Sequence, residues 1–167
     1  MARLLKDNEL TEYACSVLSP DSTRETLTGD VLVPQKIWLN DWELVDSIGK
    51  INGLLLEPDD EPEAIAEVIH QFPLIAVQFP KFMDGRGYSI SRVLRDRYGY
   101  RGDIRAIGDV LIDQLFYMKR CGFSSFLLRE DQNEQDAQAA LTTFSSTYQG
   151  CSDDPEPLYR KRFSHIG

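Results

Sequence analysis

A chain of 167 residues with 42% hydrophobic and 10% aromatic side chains can build one folded domain with a sizeable core, which excludes a disordered chain. A net charge of −9 disfavours nonspecific binding to nucleic acid, and no run of about 18 apolar residues exists to span a membrane. The widely spaced Cys15, Cys121 and Cys151 form no Cys-x-x-Cys, and His70 and His165 are the only histidines, which argues against structural zinc and cysteine-ligated iron–sulfur clusters.

Reduced thiols, and a start over Met1–Asp7 that turns charged too early for a secretory signal, make the cytoplasm the expected compartment. Residues 2–6 and 11–17 are expected to pair as a hairpin across Asp7-Asn8-Glu9. The polar, turn-rich stretch from Ser19 to Asp30 reads as a loop, and Val31-Leu32-Val33 as a short strand ended by Pro34. Gln35 to Ile48 carries an apolar stripe through Ile37, Trp38, Trp42, Leu44, Val45 and Ile48, which predicts one helix. Its two tryptophans suit core or interface anchoring better than a cofactor stack.

From Gly53 a strand–helix pattern repeats. Gly53–Glu57 is an apolar run, and Asp60, Pro62 and Glu63 form a capping-box pattern that predicts a helix to about Phe72. Leu74–Phe79 is the next strand, followed by a helix over Tyr88–Tyr98 that Gly99 stops. Asp103–Ile107 and Ser124–Leu128 are further strands, with helices over Val110–Cys121 and from Asn133 to about Phe144. Four consecutive β-α units predict an α/β fold with a parallel sheet, half-barrel-like or open, preceded by an N-terminal β-hairpin and helix. The expected organisation is a single α/β domain over 1–167: hairpin and loop over 1–30, β-α core over 53–144, irregular tail over 145–167. A sequential strand order would leave one sheet face open, and the hairpin and helix or a second copy of the chain must cover it, so a homodimer is expected.

Charge is uneven. Residues 81–129 hold ten Lys/Arg against five Asp/Glu, a net of +5, which leaves −14 on the rest. Such an island suits a small anion or an acidic partner surface, or else a solvated helix face with internal ion pairs. In parallel α/β folds ligands gather at the carboxyl ends of strands. The loops there are Glu57-Pro58-Asp59, Phe79–Ser89, Gly108-Asp109 and Arg129-Glu130-Asp131.

The second loop reads Asp84-Gly85-Arg86-Gly87-Tyr88-Ser89 and enters a helix. Gly85 and Gly87 permit a tight turn and close backbone approach to a ligand. Ser89 can cap the helix or bind a ligand oxygen, and Arg86 offers a planar two-pronged donor to sulfite, sulfate, phosphate or carboxylate. A plain turn in which Asp84 pairs with Arg86 is the alternative. Ser89, Arg92 and Asp96 share a helix face, where Arg92 and Asp96 are spaced to pair. Asp109 follows a strand and can cap the next helix, on which Asp113, Tyr117 and Arg120 share a side. Asp113 and Arg120 are spaced for a structural pair; the alternative is that Asp109 and Asp113 serve as general acid and base or meet Arg86 and Arg92 across the strand ends. Cys121 lies at a helix C-terminus, where a thiol is not activated. No Gly-x-Gly-x-x-Gly, phosphate loop or Gly-x-Ser-x-Gly elbow is present, nor any haem motif, so no nicotinamide, ATP, haem or iron–sulfur cofactor is indicated and the cofactor stays unassigned.

Phe79-Pro80-Lys81-Phe82-x-Asp84-Gly85-Arg86-Gly87-Tyr88-Ser89, Leu94-Arg95-x-Arg97-Tyr98-Gly99-Tyr100-x-Gly102, Arg105-Ala106-x-Gly108-Asp109-Val110, Asp113-Gln114-Leu115 and Arg120-Cys121-Gly122-Phe123 resemble a bacterial family of unknown function over roughly residues 30–130. Its members are labelled oxidoreductases of sulfite reduction because their genes lie beside assimilatory sulfite reductase. The resemblance implies a role in that pathway and a partner in sulfite reductase or its electron donor. It carries no catalytic residues across. Three readings remain: an accessory or electron-delivery protein of sulfite reduction; a small enzyme holding an anionic metabolite between Arg86, Ser89, Arg92 and Asp109; and a scaffold without ligand.

Overall fold

The computed structural model describes residues 2–81 and 83–142. The tail from 145 and the end of the last helix at Phe144 lie outside them. Eight strands form one sheet: β1 Ala2–Lys6, β2 Glu9–Tyr13, β3 Cys15–Val17, β4 Asp30–Pro34, β5 Gly53–Leu56, β6 Leu74–Phe79, β7 Asp103–Gly108 and β8 Ser125–Leu128. Their order is β2-β1-β8-β7-β6-β5-β4-β3. β4 to β8 lie in sequential order and pair in parallel, while β1 pairs antiparallel with β2 and β8. The expected α/β fold with a parallel sheet and N-terminal hairpin is therefore the one observed, except that the hairpin's second strand is Glu9–Tyr13, and Cys15–Val17, expected to belong to it, pair in parallel with β4 instead. Asp7 and Asn8 turn the hairpin with φ of 50° and 64°, left-handed values that short polar residues tolerate.

β2 and β3 lie at opposite edges of the sheet yet are separated in the chain by Ala14 alone. A flat sheet of eight strands would part its edges by roughly 34 Å at about 4.8 Å per strand, whereas two chain steps span at most about 7 Å. The sheet therefore curls until its edges meet at Ala14. The junction is tied on both sides: Asp30 N–H donates to the Ala14 carbonyl at 3.0 Å, and the Tyr13 hydroxyl donates to Asp30 Oδ2 at 2.7 Å.

The curl gives the sheet an inner and an outer apolar face. Leu32, Leu55, Leu74, Ala76 and Ile107 form the inner cluster, with Cys15 and Leu127 against it. Leu54, Leu56, Ile75, Val77, Ile104 and Ala106 alternate to the outer face and join the main core with the helices. The face expected to need the hairpin and helix or a second copy of the chain is buried by the chain's own curvature.

The helices depart further from expectation. Gln35–Ile48 is two helices, α1 Gln35–Asn40 and α2 Trp42–Ile48, broken at Asp41, whose carboxylate accepts from Leu44 N–H at 3.1 Å and so caps α2. The helix expected after Asp60 is only two 3₁₀ turns, Pro62–Ile65 and Ile69–Gln71. Asp60 does not cap them: its carboxylate accepts from Glu57 N–H at 2.8 Å and closes the turn before. α3 Arg86–Arg92 continues as a π-helical turn, Val93–Arg97, and α4 Leu115–Arg120 follows a 3₁₀ turn, Ile112–Gln114. α5 Glu134–Ala140 starts where expected, with Asn133 Oδ1 accepting from Gln135 and Asp136 N–H. No helix among the described residues is long and apolar enough to cross a membrane.

Charge also lies inside the curl. Arg105 on β7 is 5% exposed. Its Nη2 meets Asp103 Oδ2 at 2.8 Å, its Nε donates to Ser125 Oγ at 3.0 Å, and its guanidinium lies 4.4 Å from the Tyr13 ring centre. Burial by itself would raise the Asp103 pKa. Hydrogen bonds from Ser124 and Ser125, with the charges of Arg105 and Lys6, outweigh it and hold the carboxyl below the ordinary range. Removing one member of a buried pair strands the other, so Asp103→Ala should destabilise the fold by about 3–5 kcal/mol. Urea unfolding at pH 7 measures this; a loss within about 0.5 kcal/mol of zero would show that Asp103 does not neutralise Arg105.

Candidate functional site

The expected site lies at the carboxyl ends of β5 to β8, where four loops emerge, and its charges are organised as two arginine clips. In the first, Arg86 opens α3 and grips Asp84 two residues back, Nε to Oδ1 at 2.9 Å and Nη2 to Oδ2 at 2.7 Å. Its remaining Nη1 reaches Asp59 in the loop after β5. In the second, Arg129 grips Asp131 in the same two-pronged way, Nε to Oδ1 at 2.9 Å, and its Nη1 reaches Asp109 in the loop after β7. The first clip joins the loops after β5 and β6, and the second those after β7 and β8. Lys36 on α1 adds a third link, to Glu57 at 2.7 Å.

Each clip sets two carboxylates against one guanidinium. The hydrogen bonds that Arg86 donates to Asp84, followed by the charges of Asp59 and Asp84, hold Arg86 well above its ordinary pKa, while Arg86 holds Asp84 below its own. Arg129 and Asp131 shift in the same opposite senses, chiefly through the bond they share. Arg86 and Arg129 are 54% and 42% exposed, so the clips position loops more than they stabilise the fold. The donors that Arg86 would offer an oxyanion are given to Asp84 and Asp59.

The structure alters the roles expected of several residues. Gly85 has φ −78°, and Gly87 is not left-handed either. Gly87 is needed for space: a Cβ there would lie 2.6 Å from the tip of the Phe79 ring. Ser89 does not cap α3, because the helix begins three residues earlier at Arg86, and Ser89 stands exposed on its surface. Asp109 does not cap a helix, since Leu111 and Gln114 occupy the cap positions of the turn and of α4. Arg92 and Asp113 are exposed on α3 and on the turn before α4, and Arg120 is half-buried in the last turn of α4. Asp84, Gly85, Arg86 and Gly87 therefore stand together at one clip, and Asp109 stands at the other.

Sequence reading missed Asp59 and Arg129 as the cross-loop partners. Both were visible as charges in strand-end loops, but nothing local signals which loops touch. It also missed the exposed apolar side chains here: Met83 is 81% exposed and Tyr117 52%. Tyr117 packs on Tyr88, ring centres 5.0 Å apart, and Tyr88 on the buried Phe79 at 5.3 Å. Among the described residues no group of three or more His, Cys, Asp and Glu is placed to hold a metal ion.

These features define an α/β protein with a curled, mostly parallel sheet and a clipped, charge-rich strand-end surface. Over residues 53–159, which include both clips, the chain matches a bacterial protein family of unknown function (DUF934), and it belongs to that family. The match overlaps the resemblance over 53–130 and runs on into the tail. Comparison with curated proteins and with solved structures found no match.

Two outcomes test this geometry. Gly87→Ala should cost about 1–3 kcal/mol, because the Phe79 ring is held by Tyr88 and Phe123 and cannot swing aside; thermal melts that match wild type would refute the contact. The carboxyl groups of Asp84 and Asp131 should titrate by NMR below the usual carboxylate value of about 3.9. A carboxylate depressed in the folded state contributes stability above that unfolded value and loses it as pH falls through the folded one, so the clips should stay closed from neutral pH down to about 4 and open below. Midpoints at or above 3.9 would show the clips open in solution.

Proposed function

We propose that the protein is an accessory component of assimilatory sulfite reduction that docks on sulfite reductase or its electron donor through the strand-end surface. The pathway is supported by the specific motifs from Phe79 to Phe123, which resemble the family encoded beside sulfite reductase. Docking is supported by one observation above the rest: Met83 projects 81% exposed from the loop between β6 and α3. An exposed methionine in the loop that carries the Asp84–Arg86 clip, with Tyr117 exposed on α4, supplies the side-chain types enriched at protein interfaces: methionine, aromatic and arginine. The clips hold the loops in one arrangement, which lowers the ordering cost of association.

A bacterium lacking the gene should fail to grow on sulfate or sulfite as sole sulfur source and recover with sulfide or cysteine. The wild-type gene should restore growth. Met83→Glu/Tyr117→Glu, a pair of exposed positions that leaves the core intact, should fail to restore it and should lose co-purification with the reductase or its electron donor. Full growth of the deletion strain on sulfate would refute the pathway, and full rescue by the double variant would refute docking at this surface.

A further inference from the structure

The basic island of residues 81–129 is not one surface. Arg86 and Arg129 are clipped by carboxylates at the carboxyl ends of the strands, Arg105 is paired inside the curl, and Arg97 pairs with Glu63. Arg95, Arg101 and Lys119 stand at the other end, around a cavity of about 540 Å³ beside the amino ends of β7 and β8. The only carboxylate among its described lining residues is Asp7. Its apolar wall comes from Phe123, Phe126 and Leu141.

Arg95 is fixed there by neutral groups. Its Nε donates to the Gly122 carbonyl at 2.9 Å, and its Nη1 to the carbonyls of Tyr100 and Gly102 at 2.7 and 2.8 Å. Carbonyls orient a guanidinium without cancelling its charge. Gly122 makes the fit possible: its φ is 109°, and a Cβ there would lie 2.5 Å from Arg95 Cγ. Burial lowers the Arg95 pKa, with Arg101 acting in the same direction and Tyr100 and Asp103 opposing it. Arg101 and Lys119 are exposed, and among the described residues neither forms an ion pair. A preorganised half-buried cation, two exposed cations and an apolar wall around a volume of small-ligand size form a site of definite chemistry.

We infer that this cavity binds a small organic anion, its phosphate, sulfonate or carboxylate head on Arg95, Arg101 and Lys119 and its apolar body against Phe123, Phe126 and Leu141. The site lies at the opposite end of the sheet from the docking surface and stands or falls separately. The volume and the apolar wall favour a compact molecule over a peptide strand. The chain's own acidic stretch around Asp153, Asp154 and Glu156 is the competing occupant.

Calorimetric titration of the full chain with 1-naphthyl phosphate tests the inference. The expected result is one-to-one binding that weakens in 0.5 M salt and falls on the order of tenfold or more in Arg101→Glu/Lys119→Glu. Arg86→Ala should bind as wild type does. Circular dichroism should show the double variant folded, since both altered residues are exposed. No binding at millimolar probe, or equal affinity in the double variant, would overturn the site. Inorganic phosphate binding as tightly as the naphthyl ester would overturn the apolar half. A tenfold gain in affinity on Asp153→Lys/Asp154→Lys/Glu156→Lys would assign the cavity to the chain's own acidic stretch instead.

Discussion

One residue, Ala14, separates two strands that belong at opposite edges of an eight-stranded sheet. Everything else in the architecture follows from that shortage of chain. The edges have to meet, so the sheet has to curl, and the curl creates an interior that a flat sheet would expose. Small and branched side chains, Ala76 and Leu32 among them, fill it. Arg105 then falls inside and needs a counter-charge, a hydrogen-bond acceptor and a lid. Asp103 on its own strand, Ser125 on the adjacent strand and Tyr13 at the end of the edge strand β2 supply them. The lid belongs to the segment that closes the sheet, so closure and charge burial depend on each other.

The same geometry separates two chemical surfaces. Helix and π-helical turn together run from Arg86 to Arg97, roughly 18 Å at 1.5 Å per residue, so the two ends of one helical segment face opposite rims of the sheet. At the carboxyl rim each clip arginine meets two carboxylates, and the result is an ordered surface whose clips carry net negative charge, with Met83 and Tyr117 exposed on it. At the amino rim the cations have carbonyl partners or none among the described residues. A sequence count reports both as one basic island.

Strands were legible because parallel strands buried on both faces are continuous apolar runs, and β5, β6, β7 and β8 lie within a residue of their expected ends. The hairpin was legible from Asp7-Asn8, and the start of α5 from Asn133. The helices expected over Gln35–Ile48 and after Asp60 were not, because a polar side chain has more than one backbone donor in reach: Asp60 takes Glu57 N–H and closes a turn, and Asp41 takes Leu44 N–H and splits a helix. Within the site, the Asp84–Arg86 pair was legible because its partners are two residues apart. The reach of Arg86 to Asp59 and of Arg129 to Asp109 was not, since it depends on which loops adjoin. Gly87 was recognised as a position of close approach, but the neighbour is the Phe79 ring and not a ligand. The Asp103–Arg105 pair is equally local, but the contact of Arg105 with Tyr13 had no local signal, because Tyr13 lies far off in the chain and reaches it only through the curl.

Arginine reactivity tests the closed curl and the division of charge together. Treating the folded chain with phenylglyoxal and following each arginine by mass spectrometry should show Arg101 modified first, Arg86 and Arg129 more slowly, and Arg105 only after unfolding. Arg105 reacting as fast as Arg101 in the folded chain would mean that the sheet is open and that the account of its interior is wrong.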